Sequence, residues 1–347
     1  SGGVDTSTVV ALMAQESPKP VKTFSIGFEE QDYSELKYAK VVAKHVGAEH
    51  NEFIVRPNAV EILPTLVEHY GEPYADSSAI PTFYVARETR RHVTVALNGD
   101  GGDESFAGYE RYAAMQMAQN YRKIPSILRR SLIEPSLKAL PISETKRTRF
   151  RDMKRFVSFA GLPDLERYFR WTTTFSESEK EELYSADFRT SLNGAKPIDV
   201  VSRWLQRANG GGVVDNAMFV DQMTYLPNDL LVKVDIATMA NSLEARSPFL
   251  DHQLIEFAAS LPEDLKSKRG ETKAFLKKVA SRLIPKDVIY RRKMGFGVPI
   301  GSWLRQPMAP FLKDILLSEK SRTRGVFRPD VVQLLIAQDT SGRRDHS

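Results

Sequence analysis

The sequence predicts an α/β fold, a parallel sheet with flanking helices followed by a mostly helical remainder. Three observations carry this. Over about the first 112 residues, strand-like runs alternate with helical stretches of 10–15 residues, the pattern of a parallel sheet in an α/β layer. Beyond that point clear strands disappear, and amphipathic stretches punctuated by Pro125, Pro135, Pro141 and Pro163 take over. Finally, a Gly-rich turn follows the run 92–97 at once, so it sits at the carboxyl end of a strand, where open α/β sheets bind ligands. The chain therefore reads as one domain over 1–347, with an α/β layer over 1–115 and a mainly helical part over 116–347.

The elements follow in order. Residues 4–15 predict a helix, with Val9, Leu12 and Met13 on one side and Ser and Thr near its start. Pro18 and Pro20 end it, and 21–28 alternates like a strand. Residues 33–46 have helical spacing, with Gly47 as the stop. A second strand is expected over 50–55, helices over 58–70 and 80–91, and a third strand over 92–97. Farther on, 215–245 predicts one or two long helices interrupted near Pro227, and 271–283 a further helix. The stretch 209–212 (NGGG) reads as a flexible loop.

Composition narrows the classes. The 347 residues are 41% hydrophobic and 27% charged, ordinary for a globular protein and unlike a disordered or collagenous chain. Lys and Arg number 49 against 44 Asp and Glu, a formal charge of +5. That suits a phosphate-bearing ligand without demanding nucleic acid. No apolar run reaches the ~18 residues of a membrane helix. Cysteine is absent, which excludes disulfides, thiolate metal sites and a cysteine nucleophile within this sequence. The expected location is cytoplasmic. The six histidines show no metal-ligand spacing, and the basic stretch 146–155 reads as a solvated helix face.

Two loops could carry chemistry. In Ser1-Gly2-Gly3-Val4-Asp5-Thr6-Ser7, the glycines let backbone amides approach an anion, Thr6 and Ser7 add hydroxyls, and the following helix points its positive end there. Asp5 would repel a bare phosphate, so its sensible job is to hold a divalent metal beside one. The plain alternative is a helix N-terminus after a flexible end. Asn98-Gly99-Asp100-Gly101-Gly102-Asp103-Glu104 combines three glycines with three carboxylates, which suggests metal and phosphate together. An acidic surface turn is the alternative there, but it does not explain the placement after a strand.

This pair of loops, SGGVDTS and NGDGGDESFAGY, resembles the PP-loop ATP pyrophosphatases, and among them the synthetase half of glutamine-dependent asparagine synthetases. The likeness extends through Phe24-Ser25-Ile26-Gly27-Phe28, Glu72-Pro73-Tyr74-Ala75-Asp76-Ser77-Ser78, Lys233-Val234-Asp235, Glu244-Ala245-Arg246-Ser247-Pro248-Phe249-Leu250-Asp251-His252 and Arg292-Lys293-Met294-Gly295-Phe296-Gly297-Val298-Pro299, covering nearly all of 1–305.

The resemblance implies an adenine nucleotide α-hydrolase-like fold and an ATP-dependent amide-forming ligase. A carboxylate, in the family the β-carboxylate of aspartate, attacks the α-phosphorus; pyrophosphate leaves, and ammonia converts the acyl-adenylate into an amide and AMP. It implies ATP contacts from Ser1, Gly2, Gly3, Asp5, Thr6, Ser7, Ile26, Asn98, Gly99 and Gly101, and Mg2+ ligands in Asp5 and Asp103. It gives catalytic roles to Asp100 and Lys273, and a substrate side formed by Asp76, Lys233, Asp235, Glu244 and Arg246. Asp100 stands where the family has a glutamate, one methylene longer, and Thr6 where a serine is commoner. Without the family context, Lys273 reads as a solvated helix lysine, and Asp235, Glu244 and Arg246 as a helix ion-pair set. The segment around Gly295 to Gly297 reads either as a tight turn or as a cover near the active site.

The implied partners are aspartate or another small carboxylate, ammonia delivered from a glutaminase domain outside this sequence, and a second copy in a homodimer, with neither membrane nor nucleic acid. Rival readings are a β-lactam synthetase-like enzyme, an amidotransferase of a polysaccharide or secondary-metabolite pathway, a tRNA-modifying PP-loop enzyme, and a non-enzymatic interaction domain on the same fold. The sequence opens inside the pyrophosphate loop. A fragment of a longer amidotransferase is therefore expected, lacking the strand before Ser1, less stable than its parent, weak in ATP binding, and dependent on free ammonia.

Overall fold

The structure is a computed structural model, and it describes residues 2–28, 34–55, 59–133, 135–136, 149–208, 211–268, 270–291, 300–305 and 308–341. The chain divides into two compact units. The first is assembled from 1–108, 221–268 and 272–300; the second from 109–220, 269–271 and 301–347.

The first unit opens with α1 (Val4–Glu16), β1 (Lys22–Gly27), α2 (Leu36–Val46) and β2 (Glu49–Ile54). Gly47 ends α2 in the left-handed conformation, φ 68°, its N–H turned back onto the carbonyls of Ala43 and Lys44. β1 and β2 pair in parallel from Lys22 opposite Glu49 to Gly27 opposite Ile54. Next come α3 (Ala59–Tyr70), α4 (Ala79–Arg90), β3 (Val95–Leu97) and the short α5 (Gly102–Ser105). Two apolar clusters anchor this unit. One gathers Ala11, Val42, Ala280, Ile284, Val288 and Ile289. The other gathers Val9, Phe106, Phe249, Ala258 and Leu276, with the Phe106 ring edge-on to Phe249 at 6.1 Å.

Four differences from the sequence reading stand out. First, among the described residues the strands form two two-stranded parallel sheets, β1 with β2 and β3 with β4 (Glu244–Arg246), in place of one sheet. Side chains connect the pairs, the His92 ring lying 5.4 Å from Phe24 and 5.9 Å from Phe53. Second, β4 falls where only helix was expected. Three residues, Glu-Ala-Arg, carry no readable period; what makes them a strand is pairing with β3, through Glu244 N–H to the Thr94 carbonyl and Asn98 N–H to that of Arg246. Third, the expected long helices over 215–245 are a helix, Val213–Met223, a single π-turn, Leu226–Leu230, and a helix, Leu231–Met239. Pro227 stands in the π-turn, where a missing N–H is tolerated. Fourth, the helix expected from 271 begins at Ala274, after Lys273 in the left-handed conformation.

The second unit is helical, with α6 (Glu110–Arg122) and helices Arg149–Ala160, Asp164–Thr172, Pro197–Arg207 and Pro329–Thr340 among its elements. Its interior includes an arginine. Arg167 is fully buried, paired with Asp164 at 3.0 Å and donating to the Leu162 carbonyl at 2.6 Å. The basic side chains of 146–155 and the segment 292–299 lie outside the described residues. Among the described residues no helix is long and apolar enough to cross a membrane.

Candidate active site

The site lies within the first unit, where α1 begins and β3 ends. Gly3 is the N-cap of α1 and gives that helix no side-chain cap. Arg291 fixes the start of the loop: its Nε donates to the Gly2 carbonyl at 2.9 Å, its guanidinium pairs with Glu35, and it lies over the Tyr38 ring at 4.7 Å. The Thr6 hydroxyl donates to the Gly3 carbonyl at 3.3 Å. Ser7 is buried and its Oγ has no hydrogen-bond partner. Ser1 lies outside the described residues.

The acidic loop packs directly on α1. A Cβ on Gly99 would stand 2.9 Å from both the Asp5 Cβ and the Thr6 nitrogen, and one on Gly102 2.6 Å from Asp5 Oδ1. Gly101 adopts φ 88°, a conformation glycine takes without penalty, beneath Leu250. Asn98 organises the turn from within. Its Oδ1 accepts the Asp100 N–H at 3.3 Å and the Ser247 hydroxyl.

Lys273 closes the arrangement. Its Nζ lies 2.5 Å from Asp5 Oδ2 and 2.6 Å from Asp103 Oδ1, and the side chain is almost fully buried. Left-handed backbone in a non-glycine residue is costly and persists only where surroundings impose it. Here it occurs at both Lys273 (φ 55°) and Ala107 (φ 56°), the residue before Gly108. Gly108 is the third requirement: a Cβ there would fall 1.9 Å from Asp103 Oδ1 and 2.1 Å from the Lys273 Cε. Burial alone would lower the Lys273 pKa, but the two carboxylates outweigh it and raise it above the ordinary lysine value. Lys273 is therefore a fixed ammonium.

Asp100 behaves differently. Burial pushes its carboxyl up to about 6; Lys233 opposes that shift, and repulsion from Asp5 and Asp103 adds to it. Lys233 itself pairs with Asp76 at 2.7 Å. Burial would raise Asp76, but Lys233 and the Ser78 hydroxyl and N–H hold it below the ordinary carboxylate range.

The expected site residues thus fall into groups. Asp5, Asp103 and Lys273 meet, with Gly99, Gly101 and Asn98 forming the turn beside them. Asp76 and Lys233 form a second pair within electrostatic reach of Asp100. Ile26 is buried in β1 opposite Phe53. Asp235, Glu244 and Arg246 join neither lysine cluster: Asp235 is exposed, and Glu244 and Arg246 pair with each other at 2.6 Å on the surface. Gly102, Gly108, Ser247 and Arg291 are additions. The first three lie inside motif runs, so their neighbourhood was visible in the sequence, but the contacts that need them were not.

Among the described residues no group of three or more His, Cys, Asp or Glu side chains is placed to hold a metal ion. Two carboxylates that already share one cation do fit Mg2+, which takes few protein ligands and completes its shell with phosphate oxygens and water.

The chain matches the asparagine synthase family over residues 1–347. It is 35% identical to asparagine synthetase [glutamine-hydrolyzing] 1 of Bacillus subtilis, over all of this chain and 53% of that protein. It is 36% identical to a putative asparagine synthetase [glutamine-hydrolyzing] of Mycobacterium tuberculosis, over 88% of this chain and 45% of that protein. It is also 23% identical to amidase chyE of Penicillium rubens, over 94% of this chain and 52% of that protein. The chain spans about half the length of these curated relatives.

Proposed function

The chain belongs to the asparagine synthase family, and from that premise we propose that it adenylates the carboxylate of a small acid, the β-carboxylate of aspartate first among candidates, releases pyrophosphate, and passes ammonia to the acyl carbon to give asparagine and AMP. The observation that carries this reading is the meeting of Lys273 with Asp5 and Asp103 beside two glycine loops.

In this reading an oxygen of the acceptor carboxylate attacks the α-phosphorus of ATP, and the bond to the bridging oxygen breaks, its electron pair leaving with pyrophosphate. The reaction adds charge to phosphoryl oxygens, so it needs fixed donors aimed at them. The amides at the start of α1 and the unpartnered Ser7 hydroxyl bind the departing phosphates. The Lys273 ammonium neutralises charge at the α-phosphate. Asp5 and Asp103 would hold Mg2+, which neutralises phosphate charge when bound. Lys233 receives the acceptor. When ammonia adds to the acyl carbon, its nitrogen must lose a proton. Asp100, ionised at neutral pH yet basic enough at about 6, takes it. The names of the relatives support glutamine hydrolysis as the ammonia source. A cysteine nucleophile for that step is not in this sequence, which has no cysteine.

One observation leaves room for a different acceptor, as in amidotransferases of polysaccharide or secondary-metabolite pathways or β-lactam synthetases: the Lys233 ammonium suits any small carboxylate and does not select aspartate. The deciding experiment is pyrophosphate release with free ammonia over aspartate and a panel of other carboxylates, with the amide product identified by mass. Aspartate-dependent release with asparagine formation supports the first reading. Release with another acid alone selects the second. ATP binding with no release over the whole panel would sink both.

A further inference from the structure

A second polar network, half-buried, lies behind Lys233 and extends its pair with Asp76. It joins the loop after α3 to the π-turn and the helix that follows it. The Tyr74 hydroxyl reaches Asp229 twice, 2.6 Å from Oδ1 and 2.8 Å from the main-chain oxygen. The Tyr70 hydroxyl donates to the main-chain oxygen of Lys233 at 3.1 Å. The two tyrosine rings are stacked, centroids 4.3 Å apart and 3° from parallel. Two residues beyond Tyr74, Asp76 pairs with the Lys233 ammonium at 2.7 Å.

One stretch of seven residues therefore grips the helix at three points: Asp229, the Lys233 backbone and the Lys233 side chain. Asp229 lies in the π-turn Leu226–Leu230, one helical turn before Lys233. A π-turn is rare and weakly held by its own hydrogen bonds, and it rotates every side chain after it relative to a regular α-helix. The direction of Lys233 is thus set by whatever holds that turn open, and the bonds from Tyr74 to Asp229 are placed to do so. Burial raises the Tyr74 hydroxyl, so it remains a donor at neutral pH.

We propose that Tyr70, Tyr74 and Asp229 are positioning residues that hold the π-turn open, and so aim the Lys233 ammonium at the carboxylate acceptor. The acceptor rests on the function proposed above; the aiming of Lys233 does not. None of the three touches substrate in this account. They act through Lys233.

The test uses the full chain with Tyr74→Phe, Tyr70→Phe, Asp229→Ala and Asp229→Asn. The first readout is the rate at which acetic anhydride labels Lys233, measured by peptide mass spectrometry against Lys273 and Lys266 as internal controls. In Tyr74→Phe and Asp229→Ala, Lys233 labelling rises about tenfold while the two control lysines are unchanged, and Asp229→Asn, which keeps an acceptor oxygen, stays within about threefold of the unaltered protein. The second readout is steady-state kinetics. KM for the acceptor rises about tenfold and KM for ATP stays within about twofold, the scale expected of a misaimed binding group. Unchanged Lys233 labelling in a folded Tyr74→Phe or Asp229→Ala protein overturns the proposal, as does a rise in all three lysines together, which marks general loosening. Should Tyr74→Phe not fold, the Asp229 pair decides by the same labelling. If the unaltered protein releases no pyrophosphate with any carboxylate, the functional reading fails, and labelling alone still judges the aiming of Lys233.

Discussion

Two of the buried lysines of the first unit, Lys273 and Lys233, are held in opposite ways. Lys273 stands between two carboxylates and leaves a net negative charge, in strained backbone, with Gly108 where a Cβ would collide with its side chain. Lys233 has one carboxylate partner, sits inside a helix, and is backed by tyrosines. In the proposed function the first arrangement would exchange partners, a cation-bearing phosphate ligand taking the carboxylates while the ammonium turns to phosphate. The second is charge-balanced and braced, as suits a group that must present one direction to a small ligand. Charge count and backbone conformation, more than residue type, separate the two lysines.

The largest effect should come from Lys273→Met. It leaves Asp5 and Asp103 facing each other without a cation, and removes one preorganised charge from the phosphates. Pyrophosphate release should fall by roughly 10²–10³-fold, the scale of losing one such donor. Mg2+ should raise the Tm of this variant more than that of the unaltered protein, since the two carboxylates become available. An equal Tm response would break the contrast between the two lysines.

Gly108→Ala comes next. Its new methyl would lie 1.9 Å from Asp103 Oδ1, so the cluster must move. The expected cost is about 1–3 kcal/mol of stability, read by denaturant unfolding, with KM for ATP rising and KM for the acceptor unchanged. Equal movement of both constants would show that the two lysine sites are not separable.

The third prediction is a pH contrast. The Asp100 carboxyl is raised to about 6, so lowering the pH through that value protonates it. Turnover, measured with the concentration of unprotonated ammonia held constant, should fall there. Asp76 is shifted the other way, below the ordinary carboxylate range. Its contribution to stability is therefore complete at neutral pH and is lost only in more acid solution, as the pH drops through its depressed value. A turnover profile flat through pH 6 would remove Asp100 from the proton-transfer step.

The smallest effect should come from Glu244→Gln. Its partner Arg246 is exposed, and such pairs contribute under about 1 kcal/mol. Stability and turnover should both stay near those of the unaltered protein. A large loss of turnover would return β4 to the substrate side, where the family resemblance had put it.

How much of this was legible depends on the range of the interaction involved. The first six long elements, the Gly47 stop and the two glycine loops are written in local spacing, and the structure follows them closely. Lys273 was not readable in that way: 271–283 has the composition of a continuous helix, and the left-handed turn at 273 is imposed by carboxylates near positions 5 and 103. β4 is a strand only because Thr94 and Asn98 need partners. Tyr70 and Asp229 lie outside the motif runs, and Tyr74 lies inside one without any sign that its hydroxyl reaches Asp229. What the sequence did offer, through the family motifs, was which distant segments belong together; what it withheld was the backbone each must adopt on arrival.

The first unit is sewn from three separate stretches of chain, and Lys273 reaches Asp5 across 268 residues. During synthesis that separation is a matter of time. At ribosomal rates of about 5–20 residues per second, Asp5 emerges on the order of tens of seconds before its counter-ion exists. Until then the acidic loop and the start of α1 have no lysine to close on, and the closure that finally joins them spans most of the chain, the kind of distant contact that slows folding. The second unit has its longest stretch, 109–220, made by then, and it too waits for later chain, 301–347, before it is complete. The lysine that closes on Asp5 arrives 268 residues after it.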